Sequence, residues 1–198
     1  MFFLYQVILT IIILISPAII SFRIFKNKEH RSRYKEKFGF SSAERIDGKL
    51  IWFHGASVGE ILSIIPLVKN YEKDKSINQI LITSSTLSSS KIIKKFKFKK
   101  TIHQFYPIDH ILISKKFLKF WKPNIAIYIE SEVWPSMFSE LNRKKIPLIL
   151  LNTRITKESF NRWRIFPKFA NQIFSKISLA LPQNLETLKY LKILKVKN

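Results

Sequence analysis

Leu50-Ile51-Trp52-Phe53-His54-Gly55-Ala56-Ser57-Val58-Gly59-Glu60 decides how the rest of the chain is read. An apolar run of strand length meets a turn with two glycines and a small hydroxyl residue, and Ile61, Ile64, Ile65 and Val68 then repeat at helical spacing. The pattern predicts a strand, a tight turn and a helix. Gly55 and Gly59 allow the backbone to swing back on itself, Ser57 is placed to cap the helix, and Glu60 falls in its first turn. A carboxylate there is favoured in its ionised form by roughly 0.3–1 kcal/mol when exposed, and an ionised carboxylate accepts protons. Two roles remain open for Glu60 at this point: a helix cap and a base.

The same grammar continues downstream. Apolar runs at 77–83, 102–106, 124–129, 147–151 and 178–181 alternate with helical stretches through Lys95, at 110–121, at 135–144, at 159–175 and from Leu185 onward. Fully apolar strands with regular crossovers predict a Rossmann-like parallel sheet with helices on both faces, an α/β fold. In such sheets ligands gather beyond the carboxyl ends of the strands. That edge carries Glu60, Thr83 to Ser85, Asp109, Glu130 to Trp134, Asn152 to Arg154 and Gln183 to Asn184.

Upstream, residues 1–22 hold no charged side chain, long enough for a helix of roughly 30 Å, the thickness of a bilayer's hydrocarbon core. No basic start and no small-residue cleavage site marks a secretory signal, so an uncleaved anchor is expected. Arg23, Lys26, Lys28, Arg31, Arg33, Lys35 and Lys37 follow, against Glu29 and Glu36. The positive-inside rule then puts the remainder on the cytoplasmic side of the inner membrane, with the basic segment 23–48 as a linker against anionic lipid headgroups. The globular part is 49–198.

The formal charge of +22, from 35 Lys and Arg against 13 Asp and Glu, suits a polyanionic surface. Nucleic acid is not favoured: Phe96 and Phe98 within the lysine-rich 91–100 read as core residues at a helix end rather than as a base-stacking platform. The absence of cysteine excludes disulfides and thiolate zinc sites. His30, His54, His103 and His110 form no i, i+4 pair, so no metal is indicated, and no glycine-rich phosphate loop is present. No cofactor is expected.

Gly55-Ala56-Ser57-Val58-Gly59 also matches the G-x-S-x-G elbow of serine hydrolases, with Ser57 as nucleophile. That elbow belongs after several strands and needs a late histidine, and no histidine follows His110. Glu130-Ser131-Glu132-Val133-Trp134-Pro135 instead places two carboxylates at the end of a buried strand, with Pro135 suited to the first turn of a helix. If extended geometry persists, Glu130 and Glu132 share a face.

The apolar anchor, Lys37-Phe38-Gly39, Ser57-Val58-Gly59-Glu60, Glu130-Ser131-Glu132-Val133-Trp134-Pro135 and Asn152-Thr153-Arg154 together resemble the bacterial 3-deoxy-D-manno-octulosonic acid (Kdo) transferase family, in the right order and over the whole chain. The resemblance implies a membrane-anchored glycosyltransferase of two Rossmann domains (the GT-B architecture) that moves Kdo from CMP-Kdo to a lipid A precursor. It maps the proton acceptor to Glu60 and a transition-state role to Glu130, with Ser57, Gly59, Thr83 and Arg154 as acceptor contacts. The chain departs from the family pattern in Ser131, Val133 and Ser136, and in a loop after the second strand without glycine. The resemblance also implies that CMP-Kdo is held mainly by a second domain beyond the 198 residues, supplied by a longer protein or a separate chain. A non-catalytic remnant that binds anionic lipid is the alternative expectation.

Overall fold

The computed structural model describes residues 1–130 and 132–196. Helix α1 (Phe2–Phe25) leads through a 3-10 turn (Tyr34–Phe38) into an alternating α/β unit. Its elements are β1 (Leu50–His54), α2 (Val58–Lys73), β2 (Gln79–Ser84), α3 (Leu87–Lys94), β3 (Thr101–Phe105), α4 (Ile111–Trp121) and β4 (Ile125–Ile129). There follow α5 (Pro135–Arg143), β5 (Leu148–Thr153), α6 (Lys157–Ile165), α7 (Pro167–Phe174), β6 (Leu179–Pro182) and α8 (Leu185–Ile193). All strand pairs are parallel, in the order β3-β2-β1-β4-β5-β6.

Successive side chains on a strand point to opposite faces, and the core divides accordingly. Leu50, Trp52, Ala126 and Tyr128 pack with Phe117 of α4, Phe138 of α5 and Phe174 of α7. Ile51, Phe53, Ile127 and Ile129 pack on the other side with Ile61, Ile64 and Val68 of α2 and Ile93 of α3. Helices therefore cover both faces, as the apolar strands require: each buried strand needs a partner layer on each side. Buried Trp52 directs its indole N–H to Thr83 Oγ1 at 2.9 Å, which satisfies its one polar atom.

The single helix expected over 159–175 is two. Pro167 has no amide hydrogen and its ring would meet the carbonyl one turn back, so α6 stops at Ile165 and Pro167 opens α7.

The segment 23–48, expected as a basic linker against lipid headgroups, is folded against the β3 edge. Two buried carboxylates hold it. Glu29 pairs with Arg23 at 3.3 Å and with Lys37, and Glu36 takes both Nε and Nη2 of Arg33 at 2.7 and 3.0 Å. The Phe105 amide donates to the same Glu36 carboxylate at 2.6 Å, and Arg33 reaches the His103 carbonyl at 2.7 Å. Three of the seven cations, Arg23, Arg33 and Lys37, are thus paired with buried carboxylates, Arg23 from a partly exposed position. Gly39 closes the 3-10 turn at φ +75°, and a Cβ there would lie 2.9 Å from the Ile113 carbonyl oxygen, so only glycine fits.

Helix α1 is long and apolar enough to cross a membrane. It does not stand away from the domain. Tyr5 Oη donates to Asp109 at 2.7 Å, Gln6 Nε2 to Ser136 Oγ at 2.7 Å, and the Ile111 amide to Gln6 Oε1 at 3.1 Å.

Candidate active site

The chain leaves β1 toward β2 and leaves β4 toward β5, in opposite directions across the sheet, although β1 and β4 are neighbours. Their carboxyl-end loops therefore diverge and leave a crevice between them. Glu60 stands behind one loop and Glu130 opens the other.

Ser57 is the N-cap of α2, and its Oγ accepts from the Glu60 amide at 3.3 Å. Glu60 Oε2 in turn accepts from the Ala56 amide at 2.8 Å. This is the reciprocal Ser-x-x-Glu capping arrangement with the carboxylate reaching one residue further back. One carboxylate oxygen is thereby fixed to the loop, and among the described residues the other takes no hydrogen bond. Capping and proton acceptance are therefore compatible in one residue.

The glycines act differently from expectation. Neither Gly55 nor Gly59 has a positive φ; those that do are Gly39 and Gly48. Gly55 is needed for close approach, since a Cβ there would lie 3.1 Å from Glu60 Cβ and 3.2 Å from Ile61 Cδ1 and would push Glu60 off its loop. Gly59 is exposed and a Cβ there would meet nothing closer than Ser57 Oγ at 4.0 Å, so it has an open side in the first turn of α2.

Glu130 has φ +57°, its amide donating to the Leu151 carbonyl at 3.0 Å. The chain is therefore not extended there, and the shared face expected for Glu130 and Glu132 is not formed: Ser131 lies outside the described residues, and Glu132 turns back toward β1. Its Oε2 accepts from Trp134 Nε1 at 2.9 Å and stands 3.5 Å from His54 Nε2.

His54, the last residue of β1, is the site residue that sequence reasoning missed. It is fully buried, with its ring stacked on Tyr106 at 3.9 Å between centroids. Its Nδ1 lies 3.0 Å from Thr83 Oγ1 and 3.2 Å from the Thr83 carbonyl. Thr83 Oγ1 accepts from Trp52 and donates to the Phe53 carbonyl at 3.3 Å, so His54 Nδ1 faces two acceptors and carries a proton. The available signal was alternation: His54 shares the face of Leu50 and Trp52, which points it inward. Thr83, expected among the acceptor contacts, has no exposed surface and serves to orient Trp52 and His54; that placement does not fit a contact with substrate. Arg154 is exposed on the loop after β5, at the same sheet edge.

Ser57 does not form a nucleophile–histidine pair. Its hydroxyl is engaged as a cap and His54 turns inward to Thr83, which removes the basis for the hydrolase reading.

Asp109 organises the far wall. It accepts from the amides of Ser136 at 2.9 Å and Met137 at 2.8 Å, capping α5 in place of Trp134, which has no acceptor to do so. Burial pushes its carboxyl up to about 6, although the bonds from Ser136, Tyr5 and Met137 pull it down. A carboxyl raised in the folded state adds stability that is fully present below its ordinary value and is lost as pH rises through 6. We expect about 3 kcal/mol of stability to be lost between pH 4 and 7 through this group. Asp109→Asn should lack that pH-dependent loss, apart from a pH-independent offset, and urea denaturation of both chains across this range checks it.

A cavity of ≈ 250 Å³ lies beside this wall, bounded by Tyr5 and Leu9 of α1, Lys37, Ser85, Tyr106 and Trp134 among others. Among the described residues no group of three or more His, Asp or Glu side chains converges to hold a metal ion.

Residues 32–198 match the family described as 3-deoxy-D-manno-octulosonic-acid transferase. A probable mitochondrial 3-deoxy-D-manno-octulosonic acid transferase of Arabidopsis thaliana is 39% identical over 173 residues, 85% of this chain and 39% of that protein. The 3-deoxy-D-manno-octulosonic acid transferase of Rickettsia bellii is 36% identical over 181 residues, 91% of this chain and 43% of its own length. That of Haemophilus influenzae is 29% identical over 160 residues, 80% and 38% of the two chains. The chain thus spans about two-fifths of the length of these relatives.

Proposed function

Because the chain belongs to the Kdo transferase family, we propose that it is the acceptor-side part of a glycosyltransferase that moves Kdo from CMP-Kdo to a lipid A precursor in lipopolysaccharide assembly. The observation that carries this is Glu60: a carboxylate tied to the Ala56 amide through one oxygen, at the mouth of the crevice between β1 and β4. The apolar surface of α1 and the basic composition support a place at the inner membrane, facing the cytoplasm.

A sugar hydroxyl is a weak nucleophile until a base takes its proton. In the proposed step an acceptor hydroxyl oxygen bonds to the anomeric carbon of Kdo, its proton passes to Glu60, and the bond from that carbon to the CMP phosphate oxygen breaks. A base so positioned typically contributes about 10²–10⁴-fold. Glu130, which opens the other loop, is proposed to stabilise the charge that develops during transfer. Ser57 and Arg154 are kept as candidate acceptor contacts.

The departing phosphate also needs compensation for its charge. Helix N-termini are a common device, but those along this edge are occupied by their own caps: Ser57 on α2, Thr86 on α3, Asp109 on α5, Thr156 on α6 and Asn184 on α8. Within this domain cationic side chains are left to do this work, and in the part that holds CMP-Kdo either cations or helix N-termini serve.

Gly59 tests the acceptor wall. Gly59→Ala has room for its methyl and should leave stability unchanged or raise it by up to about 1 kcal/mol, since alanine is the better helix former. Transfer should nevertheless fall if the acceptor packs on that open side. The assay is Kdo transfer to a lipid A precursor, with the part of the relatives that this chain does not span supplied, alongside thermal melts of both chains. Unchanged transfer would remove Gly59 from the acceptor site.

A further inference from the structure

We propose that α1 lies in the plane of an anionic bilayer's interface, docked along the domain, and does not cross the membrane. This rests on the membrane location given above and adds the geometry of the contact.

Tyr5, Gln6 and Ser16, three of the four polar side chains in the first two-thirds of α1, are turned to the protein; the fourth, Thr10, is exposed at the margin of that face. Phe2, Tyr5, Gln6, Leu9, Ile13 and Ser16 are buried or half-buried, and the stripe continues at Ile20, which is 6% exposed. The intervals of three and four residues describe one face of one helix. Thr10 bonds back to the Gln6 carbonyl at 2.8 Å and faces His110 Nε2 at 3.3 Å.

Both ends of α1 are held by the same body. At the start, the Phe2 ring lies 6.5 Å from that of Phe169, and Tyr5 and Gln6 bond to Asp109 and Ser136. At the end, Ile20 and Ile24 border a cavity with Tyr34 and Phe38, and Arg23 pairs with Glu29. A helix standing across a bilayer would have to release one end. That would strip buried Asp109 of its Tyr5 partner and carry Tyr5, Gln6 and Thr10 into hydrocarbon, where their polar atoms find no water.

The outward face is the complement of the docked one. Phe3, Leu4, Ile8, Ile11, Ile15 and Ile19 are exposed by 46–81%, and the one exposed polar side chain between Phe2 and Ser21 is Thr10, whose hydroxyl is bonded back to the Gln6 carbonyl. Protein interfaces place about one hydrogen bond in every 100–200 Å². A strip of roughly 30 Å whose single polar side chain, Thr10, already donates within the helix suits hydrocarbon better than a protein partner. The strip also extends past the start of the helix, where exposed Ile165 and Phe166 share a cleft with Met1.

Cations flank both ends, as an anionic surface requires. Arg162, Arg164 and Lys168 are exposed around Ile165 and Phe166, and Lys26 and Lys28 are exposed beyond Phe25. An apolar face a few ångströms deep with cations at its margins is the arrangement of an interfacial helix. The cavity between α1 and Trp134 then opens beside the membrane surface, where a lipid-linked acceptor presents its sugar.

The chain has no cysteine, so single substitutions give unique labelling sites. Leu4→Cys, Ile8→Cys, Ile15→Cys, Ile19→Cys and Phe22→Cys, each in the 198-residue chain, would carry a fluorophore whose depth is read by lipid-attached quenchers in vesicles of phosphatidylglycerol and phosphatidylcholine. An in-plane helix places all five labels at similar depth, roughly 5–10 Å below the headgroups. A spanning helix places Leu4 and Phe22 about 27 Å apart along the membrane normal, with the deepest labels between them. A rise and fall of depth along the helix would overturn the in-plane proposal and leave the membrane location standing. Failure to bind the vesicles would overturn both. A dimer in vesicle-free buffer whose α1 labels are already shielded would assign the apolar face to a second copy of the chain and overturn the lipid reading.

Discussion

Glu60→Gln is expected to lower Kdo transfer by about two to four orders of magnitude while the protein stays folded. The amide oxygen of glutamine still accepts from the Ala56 N–H, so the link that fixes the side chain to its loop is kept and basicity alone is lost. The stability cost of removing the charge from the first turn of α2 is about 1 kcal/mol at most. Glu60→Asp keeps the carboxylate but draws it back by one methylene, away from the position the Ala56 amide enforces. Its transfer should fall between the parent and the glutamine variant, because misplacement by an ångström already costs about 10²-fold. The measurement is labelled Kdo transferred from CMP-Kdo to a lipid A precursor, with the part of the relatives that this chain does not span supplied to both chains. A glutamine variant within about threefold of the parent would reduce Glu60 to a cap and make Glu130 the leading base, since such a ratio is far below the loss of a proton acceptor.

Glu36→Ala is expected to destabilise the domain by about 3–5 kcal/mol, the usual result of deleting one partner of a buried ion pair. Glu36 is 1% exposed, and it gathers the Arg33 guanidinium, the Phe105 amide and the Ser42 hydroxyl. Its loss leaves a largely buried guanidinium and a buried strand-end amide without their acceptor. For a chain of this size the midpoint of thermal unfolding should fall by roughly 6–20 °C. Glu44→Ala, in the same segment, serves as a control of equal charge change, because no ion pair holds that side chain among the described residues. A Glu36→Ala midpoint equal to that of the control would return 23–48 to the status of a loose linker.

That linker shows where reading the sequence failed. Counting charges places seven cations against two acids and suggests a basic linker lying against lipid headgroups. Nothing local in Glu36 announces burial, because its carboxylate is received at the end of β3, where it takes the Phe105 amide 69 residues downstream. A carboxylate surrounded by arginine and lysine in sequence looks the same whether those cations face water or the carboxylate itself.

Pro167 shows the opposite case. Its effect is local, and a stricter reading of the 159–175 window would have ended α6 before it, because the missing amide hydrogen and the ring act within one helical turn. The loss of the shared Glu130 and Glu132 face lies between these extremes. Glu130 makes one last rung of the β4–β5 ladder through its amide to Leu151, and its left-handed backbone, uncommon for a residue without a short polar side chain, then turns the chain off the strand direction.

The sequence by itself determined the alternation of strands and helices, the sheet edge that carries Glu60 and Glu130, and the Ser57–Glu60 cap. Each follows from spacings of two to four residues, the range over which backbone geometry alone relates side chains. Tertiary structure decided that β1 lies beside β4, which opens the crevice; that His54 stands between Thr83 and Glu132; and that Asp109 caps α5 while holding Tyr5 of α1. These relations join residues 27 to 104 positions apart. No periodicity reports on such a pairing: only the packing of both sheet faces fixes which strand ends meet and which polar atoms must find each other once water is excluded.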